Sequence, residues 1–164
     1  MTQRHSHALA AALLMFMAPA LVFSADLADP RYPGGAASFQ ANCAVCHGPK
    51  GAGQPSLAPP LTSYPARYAA NPEGRRQLAM TVLNGMFGGI DVEHSHYDFK
   101  MPDFAQLDDD TLAAALNFVV FDLAHAADGT KPLTAAEIAL ERKTPMDGAA
   151  VRAHRAGVLT LLGL

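Results

Sequence analysis

Five consecutive residues, Cys43-Ala44-Val45-Cys46-His47, bring two thiols and an imidazole within one turn of chain. The Cys-x-x-Cys-His pattern is that of a c-type haem attachment site. Its chemistry explains its spacing: the thiols add to two vinyl groups on one side of a porphyrin, and the histidine that follows is carried beneath the iron. Other uses of the pair fit less well. A thioredoxin-like redox pair expects a preceding strand and an alternation of helices and strands that this chain lacks, and a zinc site needs two more ligands nearby. These are the only two cysteines. A disulfide between them would close so small a loop that it would barely constrain the unfolded chain.

The elements that must position this turn follow from local pattern. Gly34-Gly35 opens a stretch of good helix formers, Ala36 to Cys46, with Phe39 and Cys43 four apart on one face. From Gly48 to Tyr68 the density of Gly, Pro and Ser forbids a long helix or strand and implies a surface loop. Helical spacing returns from Glu73 to Leu83, with Leu78 and Val82 paired and Asn84-Gly85 as terminator. Met86 to Phe104 reads as irregular, with a short hairpin near Ile90 to Tyr97. Asp108-Asp109-Asp110 caps a helix from about Thr111 to His125, whose stripe is Leu112, Leu116, Val119, Val120 and Leu123.

Two further helices are expected after this. Thr134 with Glu137 makes a capping box for a helix to about Lys143, and Pro145 with Asp147 starts another to about Leu162. In the latter, Val151, Val158, Leu159 and Leu162 form an apolar stripe, and Arg152 and Arg155 are placed on another face. Such a helix either folds back on its own domain, the simpler expectation, or lies in a groove of a partner.

Residues 1–24 read as a secretory leader. Arg4 lies in a short polar start, an apolar run extends from Ala8 to Phe23, and small residues flank a cleavage point after Ser24. The run is about 16 residues, short of the roughly 20 that span a bilayer, and Pro19 interrupts it, so cleavage is expected rather than anchoring. The formal net charge is −3 and becomes one unit more negative when Arg4 leaves. Basic residues are scattered, as in Arg75-Arg76 and Arg142-Lys143, which excludes a phosphate-binding patch and hence nucleic acid.

The chain resembles class I cytochromes c beyond the pentapeptide. That family has a glycine eight residues and an aromatic four residues before the first cysteine, where Gly35 and Phe39 stand, and they let its first helix cross its last closely. Phe118, within Leu116-Asn117-Phe118-Val119, falls where the family often has Asn-Tyr. Pro59-Pro60-Leu61 is similar to the family's Pro-x-Leu. The resemblance implies that the Pro59 carbonyl accepts the Nδ1 proton of His47, so that Nε2 faces iron, and that Leu61 presses on the haem. Met101-Pro102, followed by Phe104, Leu107 and the acid-capped helix, resembles the family's Met-Pro segment and implies Met101 as sixth ligand.

Met80 and Met86 are the weaker thioethers, the first lying in a helix and the second well before the expected position. His94 and His96 read as solvated loop residues rather than replacement ligands, and nothing around His125 or His154 suggests a site. Tyr64, Tyr68, Phe87, Tyr97, Phe99 and Phe104 are available to line a haem pocket or serve as core. Arg67 or Lys100 could pair with a propionate, and the sequence does not choose between them.

The expected fold is therefore all-α: a small cytochrome c fold with three to five helices around one covalently attached haem c, plus a C-terminal helical extension. Its divisions are the leader 1–24, a lead-in segment 25–33, the haem domain 34–125 and the extension 126–164. A long Gly88 to Lys100 loop and residues 126–164 exceed a minimal family member. The implied function is one-electron transfer in the periplasm, with His47 and Met101 as axial ligands. The carrier would be a free shuttle or the electron-accepting subunit of an exported dehydrogenase, with an oxidase or another cytochrome as acceptor. The rival is a haem enzyme or gas sensor with an open or labile sixth position.

Overall fold

The computed structural model describes residues 29–164; the leader and the first residues of the lead-in segment lie outside the described residues. The helices are α1 (Pro33–Asn42), α2 (Ala44–His47), α3 (Tyr64–Ala69), α4 (Pro72–Asn84), α5 (Asp109–Asn117), α6 (Ala135–Arg142) and α7 (Gly148–Leu162). The strands β1 (Ile90–Val92) and β2 (Ser95–Tyr97) pair antiparallel, with Ile90 opposite Tyr97. The fold is mainly helical, as the sequence leads one to expect, and the hairpin lies where its pattern places it.

Capping fixes the helix starts. The Asn71 side chain accepts from the Glu73 and Gly74 amides, Asp108 from Thr111 N (2.6 Å) and Asp147 from Ala150 N (2.8 Å). Each such bond satisfies an amide that the first helical turn leaves without a partner. The capping box between Thr134 and Glu137 is complete.

Three local expectations are corrected. The attachment helix is not continuous to Cys46: it starts at Pro33, takes in both glycines, and breaks at Cys43 before the single turn of α2. The proline loop ends in the short helix α3, because Pro65 sits in its first turn, where a missing amide hydrogen costs nothing. The helix after Asp108 widens into a π-helical turn, Phe118–Leu123, and stops before His125, whose φ of 52° takes it out of the helical region.

α1 crosses α5 closely. A Cβ on Gly35 would collide with the Ala114 carbonyl, and the Phe39 and Phe118 rings pack with centroids 5.4 Å apart. A second cluster joins α3, α4 and α5 to the C-terminal helices through Tyr68, Leu78, Leu83, Leu112, Leu116, Val120, Ile138 and Val158. Full burial of each such side chain stabilises by about 1.5–3 kcal/mol. The extension thus packs on the helices before it.

Polar contacts hold it in register. Arg75 pairs with Glu137 (2.6 and 2.8 Å) and also donates to the Lys131 and Pro132 carbonyls, while Arg142 reaches Asp109 and the Ala105 and Leu107 carbonyls. His154 contacts Gln77 through Nδ1 (2.7 Å) and Glu73 through Nε2 (3.3 Å). The stripe assignment in α7 needs correcting: Arg155 stands four residues after Val151 and three before Val158, on the buried face, and is only 7% exposed, whereas Arg152 is exposed.

Candidate functional site

The site begins where α1 ends. Cys43 N donates to the Phe39 carbonyl (2.8 Å) and His47 N to the Cys43 carbonyl (3.0 Å), so the single turn of α2 carries His47 inward. His47 is 8% exposed, and its Nδ1 lies 2.9 Å from the Pro59 carbonyl oxygen. A carbonyl only accepts, so Nδ1 carries the proton and Nε2 is left as a lone-pair donor.

The loop that delivers Pro59 is tied back on itself. Gly53 N donates to the His47 carbonyl (2.8 Å) and Leu61 N to the Gly51 carbonyl (2.7 Å). Gly53 has φ 76°, and a Cβ there would stand 2.7 Å from Pro60 N, so a side chain would displace the proline segment.

Burial lowers the His47 pKa below the ordinary imidazole value, outweighing the opposite pull of the Pro59 bond, and keeps the ring neutral as a ligand must be. Burial, with a smaller contribution from Cys46, pushes the Cys43 thiol up to about 11. A catalytic redox thiol needs the reverse shift. Among the described residues no group of three or more His, Cys, Asp or Glu side chains is assembled for a metal ion.

Cys43, Cys46, His47, Pro59, Leu61 and Met101 all line one deep, largely apolar cleft. Leu78, Val82, Leu116 and Val119 supply its floor, and Tyr64, Tyr68, Tyr97, Phe99 and Phe104 also face it. Phe87 does not; it packs against Gly148 with the Lys100 ammonium 5.9 Å from its ring centre. His94 and His96 lie outside the cleft and are exposed, with His96 Nδ1 2.8 Å from the Asp91 carboxylate.

The methionines sort differently from their order in the sequence. Met80 is 1% exposed within α4 and does not reach the cleft. Met86, set aside for its distance along the chain, lines the cleft together with Met101, because the two form a β-bridge with both amide bonds exchanged (3.1 and 2.9 Å). Residues directly opposite in such a bridge project to the same side. Only folding of the Gly88 to Lys100 hairpin could reveal this pairing.

The cationic groups also differ from expectation. Lys100 lines the cleft, but the Arg67 guanidinium is engaged by the Leu162 carbonyl (2.9 Å). Arg155, from the extension, lines the cleft instead, and nothing in its sequence context marks it for that place.

These residues fit a flat apolar macrocycle held at one edge: two neighbouring free thiols, one oriented imidazole with Nε2 available, thioethers in the same cleft, and apolar walls. The donor set, one nitrogen and soft sulfurs, is that of haem iron.

Residues 34–120 match the family model described as Cytochrome c. Two cytochromes c-552, both from Thermus thermophilus and one of them from a specified strain, are each 36% identical over 121 residues. That alignment covers 73% of this chain and 92% and 82% of theirs. It is longer than the family match, so the likeness continues outside 34–120. With the attachment turn, the oriented histidine and the helix crossing in place, these matches show that the chain belongs to the cytochrome c family.

Proposed function

We propose that this haem electron carrier holds a single haem c through thioether bonds to Cys43 and Cys46, has His47 and Met101 as axial ligands, and works in the periplasm after loss of residues 1–24. When bound, the haem supplies one-electron chemistry at its iron. The observation that carries the assignment is the 2.9 Å contact between His47 Nδ1 and the Pro59 carbonyl, which leaves Nε2 unprotonated on a ring that lines the cleft.

Each residue then has a physical task. Pro59 holds the His47 tautomer and ring angle, which keeps the ligand geometry constant when the charge at the centre changes. Met101 would offer the iron a soft, weakly donating sulfur, which favours the reduced state and would occupy the position a substrate needs. Met101 is preferred to Met86 because Pro102 and the capped α5 follow it in the family's order. Leu61 and the aromatic walls exclude water, so little solvent reorganises when one electron moves.

The partners we propose are an exported dehydrogenase as donor and an oxidase or another cytochrome as acceptor. Co-purification without crosslinker separates a subunit from a free shuttle.

The decisive experiment is covalent haem staining after denaturing electrophoresis, paired with absorption spectra in both redox states. Cys43→Ala or Cys46→Ala should sharply reduce the stain, and the double variant should abolish it. Wild-type staining in the double variant would end the assignment, and a high-spin ferric spectrum of the native protein would favour the enzyme or sensor reading. N-terminal sequencing of the exported protein should begin at Ala25.

A further inference from the structure

An arginine on the buried stripe of α7 is an energetic anomaly until its neighbours are counted. Arg155 lies between Val151 (0% exposed) and Val158 (2%) and is itself 7% exposed. Its guanidinium has five N–H donors. One hydrogen bond is formed, from Nη2 to the Asp91 carbonyl at 3.1 Å, and among the described residues no carboxylate pairs with it. A buried cation without a counter-anion is strongly disfavoured, because the protein interior does not replace the hydration it has lost.

The same end of the cleft holds a second unsatisfied donor. The Tyr68 hydroxyl is buried and makes no hydrogen bond. Burial pushes the phenol pKa up, while the nearby Arg155 guanidinium pulls it down. Among the described residues, no Asp or Glu lines the cleft, whereas Arg155 and Lys100 both do. A largely apolar cleft, whose neutral polar lining includes Asn42, Gln77 and Thr81, therefore presents positive charge and an unpartnered hydroxyl to whatever fills it.

We propose that Arg155, with the Tyr68 hydroxyl as second donor, anchors a propionate carboxylate of the haem, so that the C-terminal extension is a working part of the haem site. The inference rests on the haem reading above. It identifies the missing anion: a planar carboxylate matches the guanidinium fork, which can give two parallel charge-assisted bonds. It also gives α7 a task beyond packing. By holding a cation at the cleft, the extension opposes accumulation of positive charge on oxidation, and by neutralising a propionate it removes a field that would favour the ferric state. Both effects raise the reduction potential.

The test uses the full-length holoprotein. Arg155→Met keeps the length and apolar stem of the side chain but removes its charge. We expect covalent haem and the thioether-to-iron band to be retained, the reduction potential to fall, and the propionate bending bands in resonance Raman to move to lower frequency as their hydrogen bonds are lost. Tyr68→Phe should shift the same bands by less. Arg155→Lys should hold the potential near that of wild type while still moving the bands, since it keeps the charge and loses the fork. That variant carries the test if Arg155→Met does not fold.

An unchanged potential and unchanged bands in a fully haem-loaded Arg155→Met protein would overturn the anchor and leave the haem site standing. Absence of covalent haem from the wild-type protein would overturn both.

Discussion

Asn117 and Leu133 are tied by a pair of reciprocal bonds: the Asn117 carboxamide donates to the Leu133 carbonyl (2.9 Å) and accepts from the Leu133 amide (2.7 Å). Both residues are buried, so the side chain of the last residue of α5 acts as a one-residue strand partner for the chain that leads into α6. The sequence context presents Asn117 only as part of the family's Asn-aromatic pair. In the structure it is the hinge pin of the extension. Asn117→Ala would leave a buried amide and a buried carbonyl without partners and should cost about 2–4 kcal/mol. Urea unfolding of the holoprotein measures this, with haem staining unchanged; a loss under about 0.5 kcal/mol, the range of ordinary surface substitutions, would show that water replaces both bonds.

The bridge between Met86 and Met101 gives a sharper test of axial ligation than either residue alone. Met101→Ala should remove the thioether-to-iron band near the red edge of the visible spectrum and lower the potential, and Met86→Ala should leave the band in place. His94→Ala and His96→Ala should do nothing to it, since both rings lie outside the cleft. Because the two thioethers face one cleft, the spectrum of Met101→Ala also has a second possible outcome. A band that survives there and vanishes only in the double variant would mean that Met86 takes the position, and loss of the band in Met86→Ala alone would reverse the assignment.

What could be foreseen follows the range of the interactions involved. Caps at Asp108, Asp147 and Thr134 are written within four residues of chain, and the structure places all three as the pattern implies. The Gly35, Phe39 and Phe118 crossing and the contact from Pro59 to His47 were legible through resemblance to a family. The burial of Arg155 in the cleft was not, because its neighbours Tyr68 and Asp91 are more than 60 residues away and a charged residue in an amphipathic helix is ordinarily read as solvated. The same holds for Arg75, whose partners on and before α6 become visible only when the extension folds against α4. Met86 is hidden for a related reason, since distance along the chain conceals a neighbour that the hairpin restores.

The ion pair from Arg75 to Glu137 makes stability depend on pH with a definite sign. The Arg75 guanidinium holds the Glu137 carboxyl down to about 2 from an ordinary 4.5. A folded-state pKa below the unfolded one means that the stabilisation is fully present above about 4.5 and is lost as pH falls towards 2. Glu137 is 38% exposed, so solvent screening limits its worth to about 1 kcal/mol. Glu137→Gln should therefore be less stable than the native protein by about that amount at pH 7, with the gap narrowing between pH 4.5 and 3. Denaturant titrations at the two ends of that range check this, and a gap that stays constant would assign the effect to the capping box instead of the charge.

The extension offers the broadest test, because its removal takes away packing and charge together. Truncation after Gly129 deletes α6 and α7, including the buried Ile138, Val151 and Val158, and uncovers Leu78, Leu112 and Leu116 on the helices they cover. Buried aliphatic side chains contribute about 1.5–3 kcal/mol each, so the loss is comparable with the whole stability of a small domain, about 5–15 kcal/mol. We expect a large fall in the thermal midpoint of the truncated holoprotein. Its potential should also fall, and by an amount similar to that in Arg155→Met, because the same cation leaves the cleft in both. The two readouts separate the roles of the segment: packing is measured by the midpoint and the charge by the potential. A truncated protein that keeps its midpoint would show that α6 and α7 contribute little to the core, and slower electron acceptance by such a protein from its physiological donor would make the segment a recognition element.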